Sequence, residues 1–240
     1  MAYQDKNFPP EADQPMAGKY IDGEAYDRRG ENSILEKYVL NLWQPFLKKV
    51  ISNLNVGKVV ADLGCGTCEY TQAAKNAKKI YAVDISSEML KVCRDKMKNF
   101  SQVEFINLSV SDINLPLVDL VIAIGVWEYI DSAVLFNKIK AITHQGSKVI
   151  VVFPNIYNDL NWMRSLAKWK MVAIRPGFIK KLFKNNFTLV DSASFGTVFW
   201  FPKKLQFLTK PIWKLENWFW RPFQKFLPLG VNVYYLFERK

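Results

Sequence analysis

The fold is decided by the stretch VVADLGCGTCE, which occupies residues 59–69. A short β-branched run enters a turn that carries Gly64 and Gly66, and this pattern predicts a buried strand followed directly by a helix. A second strand, residues 79–83, ends at Asp84. In α/β proteins such glycines let the backbone approach a ligand, and an acid after the second strand accepts hydrogen bonds from a ribose. The sequence therefore predicts a nucleoside site.

Two other interpretations of this turn are weaker. The dinucleotide fingerprint G-x-G-x-x-G requires a glycine where this chain has Glu69, and an acid there would face the place of the pyrophosphate. Cys65 and Cys68 form a C-x-x-C pair between a strand and a helix, as in thioredoxin-like proteins. Asp84 and Asp112 have no role in that fold, so the pattern disfavours a redox function.

Spelled as Asp62-x-Gly64-x-Gly66-x-Cys68, the turn resembles motif I of the class I S-adenosylmethionine-dependent methyltransferases. The last glycine of the family pattern is replaced here by Cys68. Because S-adenosylmethionine carries no phosphate, an acid near the helix start does no harm. The resemblance implies that Asp62 faces the cationic amino end of this cofactor and that Asp84 holds its ribose hydroxyls.

Further motifs of the same family follow in order between residues 56 and 154. Residues 103–106 read as a third strand that leads to Ser111-Asp112-Ile113, where the resemblance implies an acid in contact with the adenine. Residues 118–125 and 146–153 read as the fourth and fifth strands. The cofactor-binding residues implied by the resemblance are Asp62, Gly64, Cys65, Gly66, Asp84, Ile85, Asp112, Ile113 and Gly125.

The end of the chain completes the family pattern. A helix over residues 176–183 and a sixth strand over 187–192 precede a seventh strand over 231–237. In the family the last two strands form a hairpin at the sheet edge, but here a long insertion separates them. We therefore expect an α/β fold: a doubly wound, seven-stranded, mostly parallel sheet of the Rossmann-like methyltransferase type, with an antiparallel last strand and a helical, aromatic-rich insertion before it.

Charge divides the chain unevenly. The net charge of +11 lies in the last third, because residues 168–240 contain 14 Lys/Arg and three Asp/Glu while the preceding residues are balanced. Basic and aromatic residues alternate in the insertion. We divide the chain into an N-terminal helical lid (1–55), a cofactor-binding core (56–197 and 229–240) and the basic aromatic insertion (198–228).

The insertion has two interpretations that stay open. A basic, tryptophan-rich amphipathic segment suits the headgroup zone of an anionic membrane. It equally suits a cap whose aromatic side chains pack over the substrate or against another subunit. Nucleic acid is a disfavoured but not excluded partner, since aromatic and basic side chains also stack bases. The oligomeric state is left open.

Two helices are expected outside the sheet; the second of them and the insertion are both expected near the mouth of the pocket. One lies in the lid, with Asn32 or Ser33 as its cap, and continues to about Asn53. Pro45 lies inside that pattern and is expected to kink or divide the helix. Residues 157–175 carry apolar side chains at helical spacing and predict an amphipathic helix after the fifth strand.

Composition predicts a single domain of a soluble or peripheral protein. Its 240 residues can bury a full core, and three cysteines fit a reducing compartment better than a disulfide scaffold. The polar N-terminus does not read as a signal peptide, and no apolar run reaches the ~20 residues of a spanning helix. We expect a cytoplasmic protein, at most peripheral at the inner face of the membrane.

No metal is expected, because only Cys93 and His144 remain as further soft ligands.

The catalytic candidates follow from the cofactor. A sulfonium methyl group is already activated, so the protein mainly aligns the acceptor with it. A hydroxyl acceptor would gain from a base, and Glu128 and Tyr129 come after the fourth strand, where many relatives carry Glu-His. Tyr26 lies where relatives fold a lid over the site. The single histidine, His144, precedes the fifth strand and is interpreted as structural.

Together these patterns predict an S-adenosylmethionine-dependent methyltransferase (EC 2.1.1.-). We expect it to act on an oxygen of an apolar small-molecule or lipid-like acceptor at or near a membrane. Two alternatives stay open. The basic last third allows an RNA or protein methyltransferase, and the Cys68 departure allows a non-catalytic, methyltransferase-like interaction module.

Overall fold

The computed structural model describes residues 22–28, 34–157, 173–196 and 230–240, together with Pro211, Lys214, Leu215, Trp218 and Phe219. The strands are β1 (Val59–Leu63), β2 (Lys79–Val83), β3 (Val103–Ile106), β4 (Val118–Ile124), β5 (Thr143–Pro154), β6 (Phe187–Phe195) and β7 (Asn232–Arg239). The helices are α1 (Gly23–Asp27), α2 (Ile34–Leu54), α3 (Ser87–Lys96), α4 (Ser132–Ile142) and α5 (Pro176–Phe183), with a 3-10 helix at Thr71–Ala74.

The seven strands form one sheet in the order β3-β2-β1-β4-β5-β7-β6. The first five strands are parallel, and β7 runs antiparallel to both of its neighbours, β5 and β6. The predicted fold class is confirmed. The chain starts in the middle of the sheet at β1, builds outward to β3, and then returns to add β4 on the other side of β1. The order therefore reverses between β1 and β4, which is where sheets of this kind bind their ligands.

Alternate side chains of each strand fill two separate layers of the core. In β1, Ala61 and Leu63 belong to the layer shared with α4 and α5, whereas Val60 belongs to the layer shared with α2. This follows from the two-residue period of a strand covered on both faces. A third cluster beneath α3 contains three cysteines, Cys65, Cys68 and Cys93.

Helix α2 shows how packing overrides a local signal. Of the two outcomes expected for Pro45, division of the helix does not occur, since α2 runs from Ile34 to Leu54 with Pro45 inside it. Trp43, Leu47 and Ile51 are buried against the sheet. Their burial contributes about 1.5–3 kcal/mol each, which offsets the ~3 kcal/mol that an internal proline costs.

The prediction of a helix directly after the glycine turn is wrong for the described structure. Only the single 3-10 turn Thr71–Ala74 lies between β1 and β2. The preceding turn places Gly64, Gly66 and Cys68 at positive φ. A regular right-handed helix does not accommodate this left-handed backbone. A helix can therefore begin only after Cys68, and few residues remain for it before β2 begins at Lys79.

Several other predictions concern residues outside the described ranges. The caps Asn32 and Ser33 lie there, as does most of the amphipathic helix predicted for residues 157–175. Within the insertion the five described residues have helical backbone and are exposed. In the described part of the chain, no helix has the length and apolar character needed to cross a membrane.

Candidate functional site

The glycine turn lies at the carboxyl ends of the strands, at the point where the sheet order reverses. Gly64 follows β1, Asp84 follows β2 and Gly125 follows β4. The backbone amides of Gly64 and Cys65 both donate to the carbonyl of Val83, at 2.8 and 2.9 Å. The end of β2 thus holds the turn, and the residues predicted on three strands meet at one edge of the sheet.

Gly64 is required by its surroundings as well as by its backbone angle. Its φ is +71°, and a Cβ atom placed on it would lie 2.8 Å from Cγ2 of Val126. Real Cβ atoms do not approach other atoms this closely, so a side chain here would displace the turn or the segment after β4. Gly66, at φ +54°, has more room; a Cβ atom there would first meet the ring of Tyr26 at 3.9 Å.

Asp84 connects the turn to the start of α3. Its Oδ2 accepts from the amide of Gly66 at 2.8 Å, and its Oδ1 accepts from the amide of Ser86 at 2.9 Å. Burial raises the pKa of Asp84, although both of these hydrogen bonds act against the increase. A carboxylate oriented from two sides in this way is fixed in position for a ligand with paired hydroxyl groups.

Asp62 lies deeper, in β1. Its side chain is buried and accepts from the hydroxyl of Thr71 at 2.6 Å. Burial raises the pKa of Asp62 to about 7; the bond from Thr71 opposes this, and the nearby charge of Asp84 adds to it. Two acidic groups therefore approach the turn, and a cation bound between them would stabilise both in their ionised forms.

The other predicted cofactor residues differ in exposure. Asp112 is exposed, and its carboxylate accepts from the hydroxyl of Ser111 at 3.0 Å. Ile85, at 43% exposed, is accessible on the same side as Asp84. Ile113 is buried in the core next to β4, so its side chain contributes packing rather than a free surface.

Glu128 is an acid near this edge whose carboxylate has incomplete hydrogen bonding. Its side chain is buried, and among the described residues Oε2 has no hydrogen-bond partner. Burial raises the pKa of Glu128 to about 7, although a hydrogen bond from its own backbone acts against the increase. Oε1 lies 3.8 Å from the position that a Cβ atom on Gly125 would take. Tyr129 follows at half-buried exposure, with its amide bonded to the carbonyl of Val126.

The lid helix α1 packs on the turn. Asp27 accepts hydrogen bonds from the hydroxyl of Thr67, at 2.8 Å, and from the ammonium group of Lys96 in α3. Gly23 lies so close to the carbonyl of Glu88 that a Cβ atom would approach it to 2.6 Å. The structure thus places Tyr26 beside the turn; the lid and a catalytic role for Tyr26 stay predictions.

A charge network below the turn was not predicted. Glu69, the residue that argued against a dinucleotide, pairs with Lys48 of α2 and with Lys96 at 3.7 Å. Lys96 in turn pairs with Asp27. The network ties the lid, α2 and α3 to the end of the turn. Its partners are far apart in sequence, so no local pattern could have indicated it.

The three cysteines also meet below the turn. Their sulfur atoms all lie within 4.8 Å of one another, and Cys68 and Cys93 form a disulfide with 4.9 Å between their Cα atoms. The number and positions of the cysteines predicted free thiols, as in a reducing compartment, so this disulfide was not predicted. Burial and the charges of Asp62 and Asp84 raise the pKa of the remaining thiol, Cys65, well above its ordinary range. The absence of a metal ligand role stays a prediction.

His144 lies away from the site. Its Nε2 is 3.4 Å from the carboxylate of Asp119, and both residues stand near the amino ends of β4 and β5. The ligand edge is formed by the opposite ends of these strands. This position agrees with the structural role that the sequence indicated for His144.

The sequence of residues 61–151 matches the family described as Methyltransferase domain. This segment spans the glycine turn, Asp84, Glu128 and the strands that carry them. Over these residues the chain carries a methyltransferase domain, and its fold is that of the class I S-adenosylmethionine-dependent methyltransferases. S-adenosylmethionine is the cofactor of this family, as the sequence predicted. No curated protein matches the chain in sequence.

Solved methyltransferase structures share the fold at low sequence identity. Magnesium protoporphyrin IX methyltransferase (ChlM) from Synechocystis PCC 6803, solved with SAH, is 14% identical with a TM-score of 0.66, over 94% of this chain and 98% of that one. N-methyltransferase NodS from Bradyrhizobium japonicum WM9, in complex with S-adenosyl-l-homocysteine, is 12% identical with a TM-score of 0.59, over 82% and 85%. The M. jannaschii tRNA m1G37 methyltransferase is 14% identical with a TM-score of 0.55, over 82% and 49%. These three proteins act on different acceptors, so the fold does not select one.

The lid contact gives a first prediction. Replacing Asp27 by asparagine removes the charge that pairs with Lys96, and we expect S-adenosylhomocysteine to bind about 3–10-fold more weakly because α1 is held less firmly to α3 beside the turn. Calorimetric titration measures the affinity, and limited proteolysis measures the release of α1. Glu24→Gln is the matched control, since among the described residues the one ion pair of Glu24 is with Arg28, on the exposed face of the same helix. Equal losses in both variants would contradict a specific role for Asp27.

Proposed function

We propose that this chain transfers a methyl group from S-adenosylmethionine to an oxygen of an apolar small-molecule or lipid-like acceptor (EC 2.1.1.-). The observation that supports it most is the buried carboxylate of Glu128 at the ligand edge of the sheet, whose Oε2 lacks a hydrogen-bond partner within the described part of the chain. Leaving a buried acceptor unpaired costs about 1–3 kcal/mol. An acceptor hydroxyl that donates to Glu128 would recover this free energy.

Glu128 is proposed as the general base. Its pKa of about 7 leaves a large fraction ionised at neutral pH, in the range where a carboxylate accepts a proton most effectively. Its neighbours in sequence, Trp127 and Ile130, are buried as well. The bound cofactor supplies an electrophilic sulfonium methyl group. Glu128 would take the proton of the acceptor hydroxyl as its oxygen attacks, and Tyr129 is kept as the second candidate for this role.

The surroundings of the turn fit a nucleoside with a cationic group and no phosphate. Asp84 is assigned to the ribose hydroxyls and Asp62 to the amino end of the cofactor. Asp112 is accessible to the adenine, with Ile85 beside Asp84. The two lysines below the turn are already paired with Glu69 and Asp27, so they are not available to a phosphate.

The exposed helical face in the insertion supports an acceptor presented at a membrane. The described positions 211, 214, 215, 218 and 219 recur at the spacing of one helix face. Leu215, Trp218 and Phe219 are 66%, 73% and 57% exposed, and Lys214 lies among them. Large apolar side chains beside a basic residue suit insertion between anionic headgroups.

The proposal extends to the organisation of the chain. Residues 1–55 serve as a lid, residues 56–197 and 229–240 as the cofactor-binding core, and residues 198–228 as the membrane-contact or substrate-capping insertion. It places the protein in the cytoplasm, at the inner face of the membrane. The alternatives are transfer to RNA or protein and a non-catalytic interaction module. Each would give a different result in the experiment described next.

The test uses methyl-labelled S-adenosylmethionine with the purified protein, anionic or neutral vesicles carrying a cellular lipid extract, and separate RNA and protein fractions. We expect label in the solvent-extractable lipid fraction, at a higher rate with anionic vesicles. Label in RNA or protein would overturn the acceptor class. Binding of S-adenosylhomocysteine without any transfer would favour the interaction module.

A double variant, Leu215→Ser with Trp218→Ser, tests the membrane contact separately. Losing two inserted apolar side chains is expected to lower co-sedimentation with anionic vesicles by about tenfold or more, while the affinity for S-adenosylhomocysteine is unchanged. Val56→Ser is the matched control, because Val56 is 65% exposed but lies after α2, outside the insertion. Unchanged vesicle binding in the double variant would contradict the assigned surface.

A further inference from the structure

Cys68 occupies a backbone conformation that a side chain makes costly. Its φ is +62°, and in the described residues it is the one non-glycine residue at positive φ. The family pattern has a glycine at this position of the turn. An L-residue other than glycine in the left-handed region shifts the local equilibrium against that conformation by about 5–30-fold. Something must therefore hold Cys68 in place.

The disulfide to Cys93 supplies that restraint. Cys93 lies on the buried face of α3, the helix that starts immediately after Asp84. The bond therefore joins the glycine turn to the body of α3. Asp84, in the connection that leads into α3, is joined to the same turn through its bond to the amide of Gly66.

We propose that Cys68 and Cys93 are a redox modification site that sets the cofactor affinity of the turn. In the oxidised state the disulfide keeps Cys68 at positive φ and the turn in its binding conformation. In the reduced state the restraint is lost and the turn relaxes toward conformations that an ordinary residue prefers. The inference rests on the proposed cofactor site at this turn.

The chemistry is thiol–disulfide exchange with small thiols and disulfides. On oxidation, the thiols of Cys68 and Cys93 give up two electrons and two protons to a low-molecular-weight disulfide, which leaves as two thiols. On reduction, a dithiol returns both electrons and protons and becomes a cyclic disulfide. Cys68 and Cys93 are fully buried, and Cys65, whose sulfur lies within 4.8 Å of both, is the most exposed of the three at 7%. Exchange is therefore expected to need opening of the turn.

Two variants distinguish the loss of the disulfide itself from the loss of the restraint on the backbone of Cys68. Cys93→Ser keeps Cys68 but removes its partner, so it reproduces the reduced state when dithiothreitol also keeps the nearby Cys65 from pairing with Cys68. Cys68→Gly removes the disulfide as well, yet glycine adopts positive φ without penalty. If the bond acts by holding the backbone, the first variant binds weakly and the second binds like the oxidised protein.

The experiment titrates S-adenosylhomocysteine calorimetrically into wild type equilibrated with oxidised glutathione or with dithiothreitol, and into both variants, with alkylation and mass measurement of free thiols. We expect affinity about 5–30-fold weaker in the reduced wild type and in Cys93→Ser, and within threefold of the oxidised protein in Cys68→Gly. Cys93→Ser binding as tightly as oxidised wild type would overturn the proposal, as would three free thiols after treatment with oxidised glutathione.

Hydrogen exchange of the peptide containing Gly66 and Thr67 gives a readout without cofactor. Its amides are expected to exchange about 5–30-fold faster in Cys93→Ser than in oxidised wild type or Cys68→Gly. Equal exchange in all three would overturn the proposal. If oxidised wild type exchanges slowly but binds no S-adenosylhomocysteine, the proposed function fails while the restraint stands.

Discussion

Replacing Glu128 by glutamine is expected to lower the rate of methyl transfer by about 10²–10⁴-fold, the usual contribution of a general base. Glutamine keeps the size and polarity of the side chain but cannot accept the acceptor's proton. The affinity for S-adenosylhomocysteine should stay within about threefold, since Asp62 and Asp84 are untouched. Single-turnover kinetics with labelled cofactor measure the rate. A fall of less than tenfold would contradict the assignment, and a large loss in Tyr129→Phe instead would transfer the role to Tyr129.

The same variant has a stability signature with a definite sign. The pKa of Glu128 rises from 4.5 to about 7 on folding, so the folded protein binds more protons than the unfolded chain between these values. Stability therefore falls as the pH rises through this window, by up to about 3 kcal/mol. Glu128→Gln lacks this loss and should unfold at a higher temperature than wild type at pH 8, but not at pH 4. A variant less stable than wild type at pH 8 would indicate that Glu128 is structurally satisfied.

The pH dependence of the rate follows from the same ionisation. A base must be deprotonated, so kcat/KM of the wild type should rise with pH and level off above about 7. Burial both raises the pKa and removes hydrogen-bond partners, which means that one physical cause produces the reactivity and the cost in stability. A buried acid with such a shifted pKa at the ligand edge is a candidate functional group, and the rate of Glu128→Gln decides whether it is one.

The sheet was predictable because its signals are local. Strands β2 and β3 and helix α5 have the bounds that the sequence indicated, since each is a short apolar or amphipathic run ended by turn residues. Gly64 and Asp84 were predictable for a similar reason: a turn at positive φ needs glycine, and strand ends place acids at one edge. At these positions the residue type and the spacing alone indicate the chemistry.

What was not predictable depends on contacts between distant segments. The disulfide of Cys68 with Cys93, and the contacts of Asp27 with Thr67 and Lys96, join residues that no periodicity relates. Cys65, which the C-x-x-C pattern places close to Cys68 in sequence, stays free. Whether a proline divides a helix likewise depends on how much apolar surface the two halves bury together, as Pro45 in α2 illustrates.

Replacing Asp84 by asparagine is expected to weaken the binding of S-adenosylhomocysteine by about 100-fold or more. Two charge-assisted hydrogen bonds to the ribose are worth about 1.5–3 kcal/mol each. The substituted amide also cannot accept from both Gly66 and Ser86, because one of its two terminal atoms is a donor that would face an N–H group. Calorimetric titration measures the affinity, and thermal unfolding checks that the fold persists.

Asp112→Asn is the matched control for this loss. Both acids are implied in cofactor binding, but Asp112 is exposed and bonded only to the neighbouring Ser111 hydroxyl among the contacts of the described residues. A solvated carboxylate gains less from a ligand, since water already satisfies it. We therefore expect a loss below about tenfold for Asp112→Asn. If Asp84→Asn binds within threefold of wild type while folding normally, the ribose contact lies elsewhere and the cofactor site at this turn must be reassigned.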